Sequence, residues 1–310
     1  MPPSGQSPIV PQAVGILAEL RPRGPYSLRL SARAAGDATR CWDGARLTAC
    51  LAVDEGHELA RAHQRPDGTV CVLAGSEQGV ERMRAVLGLD DDHSEFLRRF
   101  AADPMLGRTL SELAGYRPIR TGTVCQAVLR ALAGQLIEAR RARAIERRIV
   151  RAVSTGEGAF ATPPTAASLG SFAPVDLCRH GLSARKAATL VRLCRSLPLE
   201  DLGARDPDAV AARLERERGF GPWSVGVVFL EGLGRYDRGL VGDLGLVKLL
   251  ATLRRRWVEG WETAELLEPY GDWAGIASVY LLAGWSRGLL PVPRNDFRRL
   301  RDAEARLATA

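Results

Sequence analysis

Apolar and polar positions alternate in three short stretches near the start of the chain. "YSLRLSA" (26–32) places Tyr26, Leu28 and Leu30 on one side, and "ARLTACLAV" (45–53) does the same with Leu47, Ala49, Leu51 and Val53. "GTVCVLAG" (68–75) follows the turn pair Asp67–Gly68. A period of two is that of a half-buried strand, so the pattern predicts three strands. The period then lengthens. "EQGVERMRAVL" predicts a helix over 77–87, and "LDDDHSEF" (89–96) offers aspartates and a serine to the free amides of another helix start. From about residue 94 the spacing stays helical, with helices predicted at 94–102, 105–114, 122–137, 139–153, 183–196, 206–217, 222–233, 243–257, 272–288 and 295–308. "TGEGAFATPPTAASLGSF" (155–172), rich in Gly, Pro and Ser, reads as a connection.

The predicted fold class is α+β. A Pro/Ser-rich tail spans 1–22, a small antiparallel-sheet α/β domain 23–104, and an all-α domain 105–310. A chain of 310 residues can bury two cores. No apolar run approaches the roughly 18 residues of a membrane helix, and the start lacks a basic, then apolar, secretory leader; a cytoplasmic location is expected. The six cysteines are scattered without a CxxC pair, which argues for reduced thiols and against a zinc or iron–sulfur site. The four histidines are equally dispersed and read as surface or structural.

Charge changes the picture once it is located. Residues 1–110 carry 13 basic and 14 acidic side chains, whereas residues 111–310 carry 30 and 22. The basic excess belongs to the second part, which becomes the candidate for a polyanionic partner. Only Lys186 and Lys248 are lysines among the 43 basic residues, a bias that a GC-rich genome accounts for.

Two stretches carry candidate chemistry. In "LERERGFGPWSVGVVFLEGLGR" (214–235), Gly219 and Gly221 flank Phe220, and Pro222 opens a helix with Val225, Val228 and Phe229 apolar. Glycines there permit positive φ and close approach of another chain, and free amides at the helix start suit a phosphate oxygen. A tight connection between two helices would read the same way. In "GLVGDLGLVKLL" (239–250), Asp243 stands alone among apolar residues after Gly242, either as a helix N-cap or as a functional carboxylate.

Together these stretches resemble the hairpin and aspartate of the helix-hairpin-helix DNA glycosylases. "SEFLRRFAADPML", "AVLRALAGQLIEARRARAI" and "YGDWAGIASVYLLAGW" resemble, in order, further segments of the DNA-3-methyladenine glycosylase II branch, so the likeness runs from about residue 26 to 290. It implies a monofunctional DNA glycosylase that flips an alkylated purine out of the duplex, hydrolyses its N-glycosidic bond and leaves an abasic site. Asp243 would be the catalytic residue, stabilising positive charge on the sugar and orienting water. Trp223 stands where strand-cutting relatives carry a lysine, and it cannot form a Schiff base. Its indole either faces the cationic base, worth roughly 0.5–2 kcal/mol, or packs in the core.

The same resemblance implies the remaining roles. Val227 and Leu282 would line the base pocket with Trp223, at positions where well-known members carry aromatics. Gly219, Phe220, Gly221 and Ser224 would meet the DNA backbone. The wedge that fills the hole left by the flipped base would be Ile119 or Pro118 in "YRPIRTG", unless these are ordinary loop residues. Gln135 would touch DNA or pin its helix, and Lys248 would contact the backbone or sit on the surface. Tyr280 and Trp273 read as core, and "RRAR" (140–143) as a solvated face. Arg218 departs from the proline usual before the hairpin, and no cysteine follows Cys194 for the cluster of the endonuclease III-like branch. No metal and no cofactor are implied; a monovalent cation at the hairpin is the one ion the resemblance leaves room for. The expected partner is damaged duplex DNA, with no membrane, for a nucleoid-associated monomer. Two other readings stand beside this one: a non-catalytic lesion sensor using the same hairpin, and a glycosylase for other damaged or mismatched bases.

Overall fold

The computed structural model describes residues 15–54, 56–154 and 158–292. The start of the predicted tail and the helix expected at 295–308 lie outside them. Strands β1 (Ile16–Leu20), β2 (Arg40–Trp42), β3 (Arg46–Val53), β4 (Gly56–Gln64) and β5 (Val70–Ala74) form one antiparallel sheet in the order β1-β5-β4-β3-β2. Leu47 lies opposite Ala62, and Ala62 opposite Val72, so one face gathers Leu47, Ala49, Ala60, Ala62, Val70 and Val72. Two helices enter this description here: α1 (Leu28–Ala32) and α2 (Glu77–Leu87), the latter covering that face with Val80, Met83, Val86 and Leu87. Ser76 caps α2 by accepting from the Gly79 amide, and Gly88, at φ +62°, ends it.

The sheet differs from its prediction in two ways. Residues 26–32 are not a strand: the Ser27 hydroxyl accepts from the Leu30 amide, and Leu28, Ser31 and Ala32 are buried at helical spacing in α1. A single turn shows too few positions for alternation and helical spacing to be told apart. Conversely, β4 escaped notice because small Ala60 and Ala62 mark its buried side, and β1, within the segment read as tail, is a strand at the sheet edge.

The helical part comprises α3 (Ser94–Arg99), α4 (Gly107–Glu112), α5 (Val124–Gly134), α6 (Ala139–Val153), α7 (Ala166–Gly170), α8 (Pro174–Arg179), α9 (Ala184–Ser196), α10 (Pro207–Glu215), α11 (Pro222–Val227), α12 (Leu244–Arg254), α13 (Thr263–Leu267) and α14 (Ala274–Arg287). The long helices follow their predicted spans. α7 sits inside the predicted connection, started by a capping box of Thr165 and Ser168. α11 runs on into a π-helical turn over Val228–Leu233, which Gly234 ends at φ +65°. α5 is apolar almost all round and forms the centre of the core, as a fully buried helix must.

Charged side chains tie the sheet to the helices. Arg130 of α5 pairs with Asp37 beyond α1, with Glu146 of α6 and with Glu231 of the π turn, while Arg40 of β2 joins Asp37. Burial alone would raise the Asp37 carboxyl, but Arg40 and Arg130 outweigh it and hold it below its usual range. Arg117, 0 % exposed, donates to the carbonyls of Gly88 (2.7 Å), Pro25 (2.8 Å) and Arg23. Among the described residues, no helix is long and apolar enough to cross a membrane, and no cluster of His, Cys, Asp and Glu could hold a metal.

Candidate active site

The turn between α10 and α11 has the predicted hairpin form. Asp206 caps α10, and Pro207 opens it with the missing amide that the first turn tolerates. Gly219 adopts φ +88°, which disfavours any side chain, and a Cβ there would lie 3.2 Å from the Arg185 guanidinium. Gly219 and Gly221 are exposed, and no acceptor among the described residues meets their amides. Phe220 corrects its assignment: it is 1 % exposed and anchors the turn in the core, while its amide donates to the Glu217 carbonyl at 2.9 Å. Ser224 is corrected likewise, being buried with its hydroxyl accepting from Gln135 at 2.8 Å.

Asp243 is a helix N-cap, the first of the two readings given for it, and its carboxylate also meets a second element. One carboxylate oxygen caps α12, accepting from the amides of Gly245 (2.7 Å) and Leu246 (3.4 Å). The other accepts from the Trp223 indole nitrogen at 3.0 Å. Three N–H donors from two elements thus fix the carboxylate's orientation. Close packing brings the elements together: a Cβ on Gly226 of α11 would meet the Gly239 carbonyl at 2.6 Å. Gly242, at φ +89°, makes the turn and donates to the Thr263 hydroxyl at 2.8 Å. Trp223 therefore orients Asp243 with its edge, while its far corner lies over Gly134 of α5, where a Cβ would come within 2.7 Å.

Leu282 of α14 is brought to the same place. A Cβ on Gly245 would stand 2.4 Å from Leu282 and 3.0 Å from Asp243, so this glycine leaves room between the two. Val227, one turn beyond Trp223, is buried in the core that backs the site.

Other assignments move. Ile119 is 5 % exposed and packs in the sheet core, and half-buried Pro118 sits beside it in a strap held by Arg117 and by the Arg120 amide on Val86. The Ile119 side chain is thus taken up by packing rather than offered to a partner. Gln135 pins its helix to the hairpin: its amide donates to the Gly219 carbonyl (2.7 Å) and to Ser224. The next residue, Leu136, escaped the sequence reading. It is 104 % exposed, holds φ +58° and lies beside the hairpin through Gln135. A leucine after "GQ" at the junction of two predicted helices was the available signal. Lys248 is half-buried on α12. Tyr280 is core as expected, its hydroxyl donating to the Tyr116 carbonyl at 3.0 Å, and half-buried Trp273 packs near Phe96 at 5.8 Å. Arg140, Arg141 and Arg143 are exposed on α6.

In comparison with known proteins, no family model matches. The chain is 24% identical over 218 residues to the DNA-3-methyladenine glycosylase of Bacillus subtilis (strain 168), covering 66% of this chain and 71% of that one. It is 26% identical over 203 residues to the probable bifunctional transcriptional activator/DNA repair enzyme AlkA of Mycobacterium tuberculosis, covering 62% of this chain and 40% of that relative's length. Its fold is that of 3-methyladenine DNA-glycosylase from Archaeoglobus fulgidus, with a TM-score of 0.74 at 19% identity over 87% of this chain and 98% of that one. The 8-oxoguanine glycosylase/lyase of Clostridium acetobutylicum, solved with DNA, shares it at a TM-score of 0.69 and 15% identity over 89% and 99% of the two chains. Fold and relatives coincide: the chain has the fold of these solved DNA glycosylases and is similar in sequence to curated DNA-3-methyladenine glycosylases.

Proposed function

We propose that this protein is a monofunctional DNA glycosylase that hydrolyses the N-glycosidic bond of alkylated purines of the 3-methyladenine type in duplex DNA. The observation that carries the reading is the Asp243 carboxylate, gripped by α12 amides and by Trp223 where a lyase would hold its amine. A purine alkylated on a ring nitrogen is already cationic, so it leaves as a neutral base and needs no proton from the enzyme. What the reaction needs is an anion near the sugar as oxocarbenium charge develops, and a water to collapse on it. Asp243 would supply the anion and orient or deprotonate the attacking water. The exposed hairpin amides of Gly219 and Gly221 would receive a backbone phosphate. Leu136, rather than Ile119 or Pro118, would be the wedge, since an exposed leucine in a left-handed conformation suits the hole left by a flipped base.

A pure lesion sensor would gain nothing from an anion that, among the described residues, has no cationic partner and would face phosphates. A lyase for oxidised bases would need an amine where Trp223 stands. The test is incubation with methylated duplex DNA and chromatography of whatever is released. Free 3-methyladenine and an intact strand bearing an abasic site are expected; a folded protein that frees no base from any methylated duplex would overturn the proposal.

A further inference from the structure

Leu136 carries two costs that folding does not recover. A leucine at φ +58° is strained by roughly 1–2 kcal/mol, and its side chain is fully exposed. Something must hold it there. The peptide plane joining residues 135 and 136 contains both the Gln135 carbonyl and the nitrogen about which Leu136 turns, so fixing that oxygen fixes the base of the wedge. The oxygen is fixed from a different element: Lys186, in the first turn of α9, donates its ammonium to the Gln135 carbonyl at 2.8 Å. Meanwhile the Gln135 side chain spans from α5 to the hairpin, at Gly219 and Ser224. Residue 135 is therefore clamped at both ends, by α9 through its carbonyl and by the phosphate-facing turn through its amide.

We propose that Lys186 is a positioning residue for the wedge, holding the 135–136 peptide so that Leu136 stands ready to enter the duplex whenever the hairpin is on DNA. The inference rests on the glycosylase reading above. Composition supports it independently. This chain uses arginine at all but two of its 43 basic positions, and a lysine retained at 186 meets a single carbonyl. A compact ammonium suits that target, whereas a planar guanidinium would bring five donors to one acceptor. Lys186 is half-buried, and burial pushes its pKa down from the ordinary value, in keeping with a tucked rather than solvent-facing ammonium.

The experiment compares Lys186→Met, Leu136→Ala and the double variant, using the full chain and duplexes bearing 2-aminopurine beside an abasic-site analogue. Lys186→Met should lower the 2-aminopurine signal of base unstacking and single-turnover base release about ten- to hundredfold, the range of one lost charge-assisted hydrogen bond. Affinity for undamaged duplex and its salt slope should stay unchanged, and in the Leu136→Ala background the lysine substitution should cost nothing further. An additive loss, or a salt slope reduced by about one, would make Lys186 a phosphate contact and overturn the proposal. So would a Met variant that unstacks bases as the wild type does. Lys186→Arg covers a Met variant that fails to fold: it should bind undamaged duplex normally and still lose unstacking, and full unstacking by it would count against the role. A wild-type protein that neither unstacks nor releases bases would sink the glycosylase reading instead, so the two failures are told apart.

Discussion

Two regions of this protein use carboxylates in opposite ways. At the junction of sheet and helices, Asp37, Glu146 and Glu231 surround Arg130, with Arg40 alongside, and each carboxylate meets a guanidinium within a few ångströms. At the hairpin, Asp243 has three N–H donors and, among the described residues, no cationic partner. The junction holds; its carboxylates are each paired with arginine, and removing an arginine leaves charge buried without compensation. Asp243 is oriented by N–H dipoles rather than by an opposite charge among the described residues, which is what a site facing a developing cation requires.

The comparison can be broken at either end. The largest effect is expected at the junction. Arg130→Ala should cost about 3–5 kcal/mol of stability because it leaves three carboxylates facing Arg40 alone. Denaturant unfolding would measure it, and a loss below 1 kcal/mol would mean that water or Arg40 compensates there and the junction is not a lock. Next comes Asp243→Asn, which should slow base release by about a hundred- to thousandfold while leaving stability nearly intact, since asparagine caps helices as well as aspartate. Retention of most of the wild-type rate would remove Asp243 from the chemistry.

A sharper cut is Trp223→Phe. Phenylalanine keeps most of the bulk over Gly134 but cannot donate to Asp243, so base release should fall about tenfold while affinity for undamaged duplex is kept. An unchanged rate would show that the two α12 amides suffice to aim the carboxylate.

An effect of pH rather than of rate belongs to His93, away from both regions, against Tyr236 and Trp273. It is buried edge-on against Tyr236 at a ring distance of 4.4 Å, and neither ring nitrogen has a hydrogen-bond partner among the described residues. Burial, then the nearby Arg117 charge, push its pKa down from 6.5 to about 3. The unfolded chain therefore binds a proton below pH 6.5 that the folded chain refuses, and stability falls as pH drops from 6.5 towards 3, by up to about 1.4 kcal/mol per pH unit. His93→Phe should flatten that slope when unfolding is measured at about pH 7, 6 and 5. An unaltered slope would assign the acid sensitivity to the carboxylates instead.

Much of this molecule was legible along the chain. The spans of α2 and α6, the hairpin glycines and Asp243 with its preceding glycine all rest on local rules: a repeat of 3.6 residues, a cap, a φ that only some residues adopt. Those rules act over a few residues, so the order of amino acids alone decides them. They also located the basic excess in the part that holds the hairpin.

What tertiary structure alone decided are the meetings. Whether an apolar residue faces in or out depends on what packs over it, and so Ile119 went into the sheet core while Leu136 stayed in solvent. Which donor meets which acceptor depends on chain segments far apart: Trp223 reaches Asp243 across 20 residues, Lys186 reaches Gln135 across 51, and Arg130 reaches Asp37 across 93. A hydrogen bond needs its atoms within about 3.5 Å, and no periodicity in the sequence encodes a distance between elements. The chain's local order thus determined which residues could do chemistry. Packing determined which of them are held where the chemistry would occur.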